Sequence, residues 1–184
     1  MAFVQKHYTA DTHFGHRGII GSCSRPFASV EEMDRELVAR WNAVVRPGDI
    51  VYHLGDFGWA ADETGLRKLF GKLNGRKYLV LGNHDLDKRT GQCREDLAAL
   101  PWEAPPTHRM EVRDGGHRVI LDHYAGRTWS ASAHGSFLFF GHSHGRLDPY
   151  GRSRDVGVDC PETLFAPRTF WQLTAGMLEH EAVA

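Results

Sequence analysis

Gly82-Asn83-His84-Asp85 directly follows the apolar run Lys77-Tyr78-Leu79-Val80-Leu81. The run has the length and composition of a buried β-strand, and Gly82 permits an unusual backbone conformation or the close approach of a ligand. An amide, an imidazole and a carboxylate therefore stand together where a strand ends. In α/β proteins such strand ends carry binding and catalytic groups. The alternative is an ordinary polar turn, because glycine, asparagine and aspartate all favour turns.

The same arrangement occurs twice earlier in the chain. A predicted strand over residues 3–9 is followed by Asp11 and His13, and a predicted strand over residues 50–54 is followed by Asp56. Asp11 and His13 are two residues apart, so on an extended chain both side chains point to one face. This pair suits half of a metal site, and a capped turn is the alternative.

Two amphipathic helices separate the three strands. The first begins at a capping box formed by Ser29 and Glu32, and the second is predicted over residues 62–73. Apolar residues at helical spacing form the predicted inward face of the first helix: Met33, Leu37, Trp41 and Val44. Alternating strands and helices predict parallel strands, whose carboxyl ends meet at one edge of a sheet. We therefore expect the polar groups after the three strands to converge: Asp11, His13, Asp56, Asn83 and His84.

The second half of the chain changes to a hairpin pattern. A helix predicted over residues 87–100 is stopped by prolines, and strands over residues 107–112 and 118–123 then flank a Gly115-Gly116 turn. A buried strand over residues 136–140 leads into Gly141-His142-Ser143-His144. Further strands are predicted over residues 154–158, 169–174 and 177–181.

These elements predict one domain over residues 1–184. The predicted fold is α/β, with mixed α+β character: a four-layer αββα sandwich in which two mixed β-sheets pack face to face and are flanked by helices.

Composition narrows the classes of function. The formal net charge of −1 gives no basic field for a long nucleic acid, so extended nucleic-acid binding is not expected. The chain shows no signal peptide and no apolar span for a membrane, and its three cysteines form no C-x-x-C pair, which together predict a cytoplasmic protein. Histidine is abundant, with 12 residues, and it is the commonest metal ligand in proteins.

Oxygen and imidazole donors without thiolate collect at the predicted strand ends. This donor chemistry suits manganese, iron, nickel or zinc rather than a structural zinc site, and we favour manganese. Seven candidate ligands and one further histidine are too many for one ion and suit two. The set is Asp11, His13, Asp56, Asn83, His84, His123, His142 and His144.

These residues form five blocks that resemble those of the calcineurin-like metallophosphoesterases, in the family's order. The blocks are Asp11-x-His13, Gly55-Asp56, Gly82-Asn83-His84-Asp85, a lone His123 and Gly141-His142-Ser143-His144. The resemblance covers residues 8–145. Three flanking stretches, residues 12–16, 25–27 and 123–129, are similar to those of small, compact phosphoesterases from bacteria and phages.

The resemblance implies a role for each matching residue. One divalent ion would be held by Asp11, His13, Asp56 and His144. A second would be held by Asp56, Asn83, His123 and His142, so Asp56 would bridge the two ions. His84 would face the substrate without binding metal, and Asp85 would hold the His84 imidazole.

The implied activity is that of a dinuclear-metal-dependent phosphohydrolase. A metal-bridged hydroxide would attack the phosphate ester in line, and His84 would protonate the leaving group or stabilise its charge. Two divalent ions outweigh the carboxylates of Asp11 and Asp56, so the site attracts phosphate anions. The favoured substrate is a small phosphodiester, including nucleotide-derived esters.

Alternatives stay open at this point. The enzyme could be a phosphomonoesterase, including a protein phosphatase, or a nuclease on short oligonucleotides, and the fold could also serve as a non-catalytic scaffold. An arginine beside an aromatic residue suits a nucleoside or aryl group, while loop hydrogen bonds or simple packing are the structural alternatives. The candidate substrate contacts are His16, Arg17, Arg127, Trp129 and His134.

Overall fold

Two four-stranded β-sheets form the centre of the computed structural model, which describes residues 4–59 and 63–177. The strands are β1 Lys6–Thr9, β2 Ile50–His53, β3 Arg76–Leu79, β4 Arg109–Asp114, β5 His117–Asp122, β6 Phe137–Phe140, β7 Ser153–Asp155 and β8 Arg168–Thr169. The helices are α1 Arg17–Ser22, α2 Val30–Val44, α3 Glu63–Lys72, α4 Glu95–Ala98 and α5 Phe170–Leu173.

The first sheet has the order β3-β2-β1-β8, in which β1, β2 and β3 are parallel and β8 is antiparallel to β1. Thr9 pairs with His53, and His53 pairs with Leu79, so the three parallel strands end at the same level. The second sheet has the order β4-β5-β6-β7. The predicted β4–β5 hairpin is present, and β5, β6 and β7 run parallel.

Apolar side chains separate the layers. Between the sheets, Tyr8 and Leu54 pack in one cluster with Leu121 and Phe139. On the other face of the first sheet, α2 and α3 contribute buried residues to a second cluster that includes Val51. The predicted arrangement of two mixed sheets with flanking helices is therefore confirmed. None of the described helices has the length and apolarity needed to cross a bilayer.

Ser29 caps the N-terminus of α2 as its sequence predicts, but the returning bond to Glu32 comes from Ala28 rather than from Ser29. The Ser29 hydroxyl accepts a hydrogen bond from the Glu32 N–H at 3.2 Å, and the Glu32 carboxylate accepts one from the Ala28 N–H at 2.7 Å. The inward placement of Val44 is wrong, because the helix ends at this residue and its side chain is exposed. Val45, in an extended conformation, takes the buried position instead.

The helix predicted over residues 87–100 is wrong for most of its length, since only α4 is helical. Asp87 explains the difference because its carboxylate accepts hydrogen bonds from the backbone N–H groups of Arg89 and Thr90, which closes a turn. Gly91 continues the turn with a φ of +70°, a conformation that interrupts a helix.

The strand predicted over residues 169–174 is also wrong beyond its first residue. Thr169 forms a capping box with Gln172, in which the Gln172 side chain accepts a hydrogen bond from the Thr169 N–H at 2.9 Å. Such local hydrogen bonding starts α5. Of the strand predicted over residues 177–181, Met177 lies in a turn and the remainder lies outside the described residues.

Candidate metal centre

The loops that carry the predicted ligands leave the two sheets at neighbouring edges. Asp11, Asp56 and Asn83 follow the parallel strands of the first sheet, whereas His123 and His142 follow β5 and β6 of the second. The His142 N–H lies 3.0 Å from both oxygens of the Asp11 carboxylate, to which it donates. This contact joins residues 131 positions apart and fixes one edge against the other.

Six of the seven predicted ligands form two groups of three. Within each group, one donor atom from each residue lies within 4.8 Å of the others. The first group is Asp11, His13 and His144. The second group is Asp56, His123 and His142. We call these the first and the second ligand group.

Asp56 is the member of the second ligand group that lies next to the first group. Its Oδ2 atom is 3.5 Å from Nε2 of His13 and 3.6 Å from Nε2 of His123. Asn83 places its Oδ1 atom 3.2 Å from the same His123 nitrogen, beside the second group. The structure thus brings all seven predicted ligands together, with one carboxylate oxygen facing both groups.

The backbone at five of these ligands is left-handed. Non-glycine residues rarely adopt positive φ, and such conformations concentrate at functional sites, where the surrounding structure maintains them. The residues and their φ values are Asp11 (57°), His13 (49°), Asp56 (58°), His142 (69°) and His144 (51°).

Glycine is required at two positions in these loops. A Cβ atom at Gly82 would collide with Oδ1 of Asp56, and one at Gly55 would collide with Nδ1 of His123. Gly55 also has a φ of +97°, which an L-residue rarely adopts. The two glycines therefore allow the loops of the second ligand group to approach closely.

Burial shifts the pKa values of two residues in the first ligand group. Burial, followed by the nearby Asp56, raises the pKa of Asp11 well above its usual range. Burial, followed by the positive charge of Arg25, lowers the pKa of His13 to about 2, so this imidazole is neutral. His13 Nε2 is buried and lacks a hydrogen-bond partner. Neutral imidazoles that converge with buried carboxylates fit a divalent cation, which compensates for the lost hydration of both.

Hydrogen bonds fix the rings of two ligands. His123 donates its Nδ1 proton to the Leu54 carbonyl at 2.7 Å, because a carbonyl can only accept. The Nε2 lone pair of His123 is then left for the second ligand group. Nδ1 of His144 is bonded in the same manner to Oδ2 of Asp159, also at 2.7 Å.

Asp159 and Arg25 support the first ligand group, and the sequence interpretation missed this role. The Arg25 guanidinium binds both oxygens of Asp159, at 2.7 and 2.8 Å. It also donates to the backbone carbonyls of Asp11 and Thr12. Burial alone would raise the pKa of Asp159, but hydrogen bonds from His144 and Arg25 lower it. The available signal was an aspartate just after the strand predicted over residues 154–158.

We expect Asp159→Asn to bind divalent metal about 10- to 100-fold more weakly, because the His144 ring loses its carboxylate partner. Calorimetric titration of metal-stripped protein measures this change, and circular dichroism checks that the variant is folded. Asp148→Asn is the matched control, since it removes one carboxylate charge from an exposed loop. Wild-type affinity in folded Asp159→Asn would contradict a positioning role.

His84 lies beside the ligand groups without joining either. Its ring centroid is 5.1 Å from that of His13, 6.0 Å from that of His16 and 5.8 Å from that of Trp59. The ring is half-buried, so a substrate can reach it. Its substrate-facing role stays a prediction.

The predicted contact between Asp85 and the His84 imidazole is wrong. Asp85 is fully buried, and its carboxylate accepts hydrogen bonds from the backbone N–H groups of Asp56, Phe57 and Gly82 at 2.7, 3.0 and 2.9 Å. Residues 83–85 form a 3₁₀ turn, which directs adjacent side chains differently. Asp85 therefore holds the Asp56 loop rather than the His84 ring.

Among the candidate substrate contacts, His16 lies at the site. Its ring centroid is 5.6 Å from that of His13, and burial lowers its pKa. Arg17 is exposed at the first position of α1, and no described contact brings its side chain to the ligand groups.

None of the described contacts of the other three candidates reaches a ligand group. Trp129 packs on the outer face of the second sheet, and its indole N–H donates to the Ser136 carbonyl at 3.1 Å. The Arg127 guanidinium lies 5.0 Å from the centre of the Tyr150 ring. His134 stands just before β6, at the opposite end from its ligand-bearing carboxyl end. The prediction of an aromatic–arginine pair at 127 and 129 is wrong because Trp129 fills an apolar surface.

Two mixed sheets that bring carboxylate, amide and imidazole donors together at neighbouring edges define a candidate metal-binding α/β protein. The family model described as "Calcineurin-like phosphoesterase" matches residues 8–156. The chain belongs to this family and is a metal-dependent phosphoester hydrolase, as its sequence blocks predict.

Similar proteins occur in archaea, phages and bacteria. An uncharacterized protein of Methanocaldococcus jannaschii, MJ1445, is 44% identical over 152 residues, which cover 82% of this chain and 76% of that protein. The gene 66 protein of Mycobacterium phage L5 is 28% identical, with 96% and 97% covered. The crystal structure of AQ665 from Aquifex aeolicus, titled a protein of unknown function, has a TM-score of 0.67 at 21% identity, with 99% and 100% covered. This last likeness shows the shared fold.

Proposed function

We propose that this protein is a dinuclear phosphodiesterase that hydrolyses small phosphate esters. The position of Asp56 carries the proposal, because one of its carboxylate oxygens is nearly equidistant from a histidine nitrogen of each ligand group, at 3.5 and 3.6 Å. A carboxylate in this position would suit a bridge between two ions, and the other five members of the two ligand groups would supply further ligands.

The neighbouring guanidinium groups support a diester rather than a monoester. Arg25 is bonded to Asp159 and to backbone carbonyls, and Arg94 is bonded to Asp96 and to the carbonyls of His84 and Gly58. Neither side chain is available as an additional cation for a phosphate dianion. A diester monoanion needs less positive charge, so two divalent ions held by the ligand groups would suffice for it without a further cation.

The chain's own residues orient the reaction. When bound, two divalent ions supply a hydroxide nucleophile near neutral pH and stabilise charge on the phosphoryl oxygens. The backbone N–H of His84 donates to Oδ1 of Asp56 at 2.8 Å, which fixes the His84 backbone relative to this carboxylate. From that position His84 can donate a proton to the departing ester oxygen. The Asp85 carboxylate accepts backbone hydrogen bonds from Asp56 and Phe57 and from Gly82, and so holds the Asp56 loop against the loop that carries His84.

Manganese is the ion that we propose, because the donors are oxygen and imidazole without thiolate. We also propose a single domain and a cytoplasmic location, which free thiols support: Cys23, Cys93 and Cys160 are unpaired. The proposed substrates are small esters, including nucleotide-derived ones, rather than long nucleic acids.

Paired aryl esters test this function directly. Metal-stripped protein is titrated with manganese, nickel, zinc or magnesium, and turnover of bis-p-nitrophenyl phosphate is compared with that of p-nitrophenyl phosphate. We expect activity to saturate at two ions per chain, with manganese most effective and the diester preferred. Saturation at one ion would contradict the dinuclear site. Preference for the monoester would indicate a phosphomonoesterase, and two bound ions without turnover of any ester would indicate a scaffold.

A further inference from the structure

Trp59 is an exposed aromatic side chain at the edge of the metal centre. Its side chain is 42% exposed, and it belongs to none of the three apolar clusters formed by the described residues. Its ring centroid lies 5.8 Å from that of His84 and 6.0 Å from that of His16. Packing of the core therefore does not explain an indole at this position.

Arg94 lies over the Trp59 ring, with its guanidinium carbon 4.8 Å from the ring centroid. The same guanidinium binds the Asp96 carboxylate at 2.7 and 3.1 Å and donates to the carbonyls of His84 and Gly58. These bonds fix the cation, and the cation–π contact holds the indole. The exposed ring is thus ordered before any ligand arrives, which reduces the entropy lost on binding.

The Trp59 backbone is fixed as well. Its N–H donates to the Phe14 carbonyl at 2.6 Å, and Phe14 and Gly58 form an isolated parallel bridge. Phe14 directly follows the predicted ligand His13, so this contact joins the Trp59 backbone to the loop of the first ligand group.

Tyr124 lies on the side of the second ligand group and is 50% exposed. Its ring centroid is 5.0 Å from that of His123 and 4.7 Å from that of His142. Tyr124 therefore packs directly on two predicted ligands. Trp59 instead contacts His84 and His16, which belong to neither ligand group, and its exposed indole is accessible from solvent beside them.

We infer that Trp59, held by Arg94, is a specificity-determining platform that stacks a flat heteroaromatic group, such as a nucleobase, carried by the phosphate ester. This inference rests on the proposed function. An ester bound over the ligand groups places a substituent near His84, and the indole is the next ring beyond it. Stacking on an aromatic side chain favours any base, because every base presents a π face.

Two esters with the same leaving group test the platform. Thymidine 5′-(p-nitrophenyl phosphate) and methyl p-nitrophenyl phosphate differ only in the group that remains on phosphorus. We expect manganese-loaded wild type to favour the nucleoside ester about tenfold or more in kcat/KM. The ratio should fall towards one in Trp59→Ala and be largely retained in Trp59→Phe.

Trp171→Ala is the matched control, because Trp171 is also exposed, at 58%, and contacts Phe170 of α5. The ratio of kcat/KM for the two esters should be the same in Trp171→Ala as in wild type. An equal kcat/KM for both esters in wild type, or an unchanged ratio in Trp59→Ala, would overturn the inference.

A binding measurement separates failure of the platform from failure of the proposed function. Calorimetry compares AMP with ribose 5-phosphate, which carries an anomeric hydroxyl in place of adenine, on manganese-loaded wild type and Trp59→Ala. Tighter binding of AMP that is lost in Trp59→Ala supports the platform even if neither ester is hydrolysed. Equal affinities for the two ligands in wild type would overturn it, whatever the hydrolysis assay gives.

Discussion

Asp56→Asn is expected to lose most of the activity and its two-ion stoichiometry. The substitution keeps the shape of the side chain but removes the charge that lies between His13 Nε2 and His123 Nε2. Because paired ions contribute several kcal/mol of charge stabilisation, kcat/KM on bis-p-nitrophenyl phosphate should fall by about 10³-fold or more. Elemental analysis after dialysis should find fewer than two ions per chain.

Asp148→Asn again serves as the control for Asp56→Asn, because it changes the net charge equally at an exposed position. Thermal unfolding of both metal-stripped variants checks that any loss of activity does not come from a loss of folded protein. Two bound ions together with wild-type turnover in Asp56→Asn would exclude the bridging role.

His84→Ala should retain its metal content yet lose about 10²- to 10⁴-fold in kcat. The ring lies beside His13 but in neither ligand group, so its removal takes away a proton donor rather than a ligand. The loss should depend on the leaving group. Diphenyl phosphate, whose phenolate leaves poorly, should be affected more than bis-p-nitrophenyl phosphate, whose nitrophenolate needs little protonation.

His134→Ala is the control for His84→Ala, since His134 is exposed and lies at the opposite end of β6. Its kcat and metal content should match those of wild type. If His84→Ala slowed both diesters equally, proton donation to the leaving group would be the wrong role. If it lost bound metal, His84 would be a ligand.

Much of the fold was predictable because it depends on local patterns. Short apolar runs marked β2, β3 and β6, and Gly115-Gly116 marked the hairpin turn. The prediction of a helix over residues 87–100 failed because the Asp87 carboxylate accepts backbone hydrogen bonds that close a turn. Capping by Thr169 similarly started a helix within the strand predicted over residues 169–174. In both places a specific local hydrogen bond overrode the average tendency of the segment.

The positions of the predicted metal ligands were easier to predict from the sequence than the contacts of the residues around them. Asp11, His13, Asp56 and Asn83 were expected to converge, because the parallel strands that precede them end at the same level. The approach of His123, His142 and His144 from the second sheet was implied only by the family resemblance. Asp85 was given the wrong partner, because the sequence does not define the direction of a side chain on a 3₁₀ turn. Trp129 was misread because an aromatic in a loop can equally cover a sheet.

The family, the two-sheet architecture and the candidate metal ligands were all predictable from the sequence, because each depends on short blocks and their order. Folding was needed to show that one Asp56 oxygen lies near histidines of both ligand groups, that Arg94 stacks on Trp59 and that Asp159 binds His144. These contacts join loops that are distant in the chain, as Arg25 and Asp159 show at a separation of 134 residues. Local periodicity places a residue on an element, but packing between elements decides which side chain it meets.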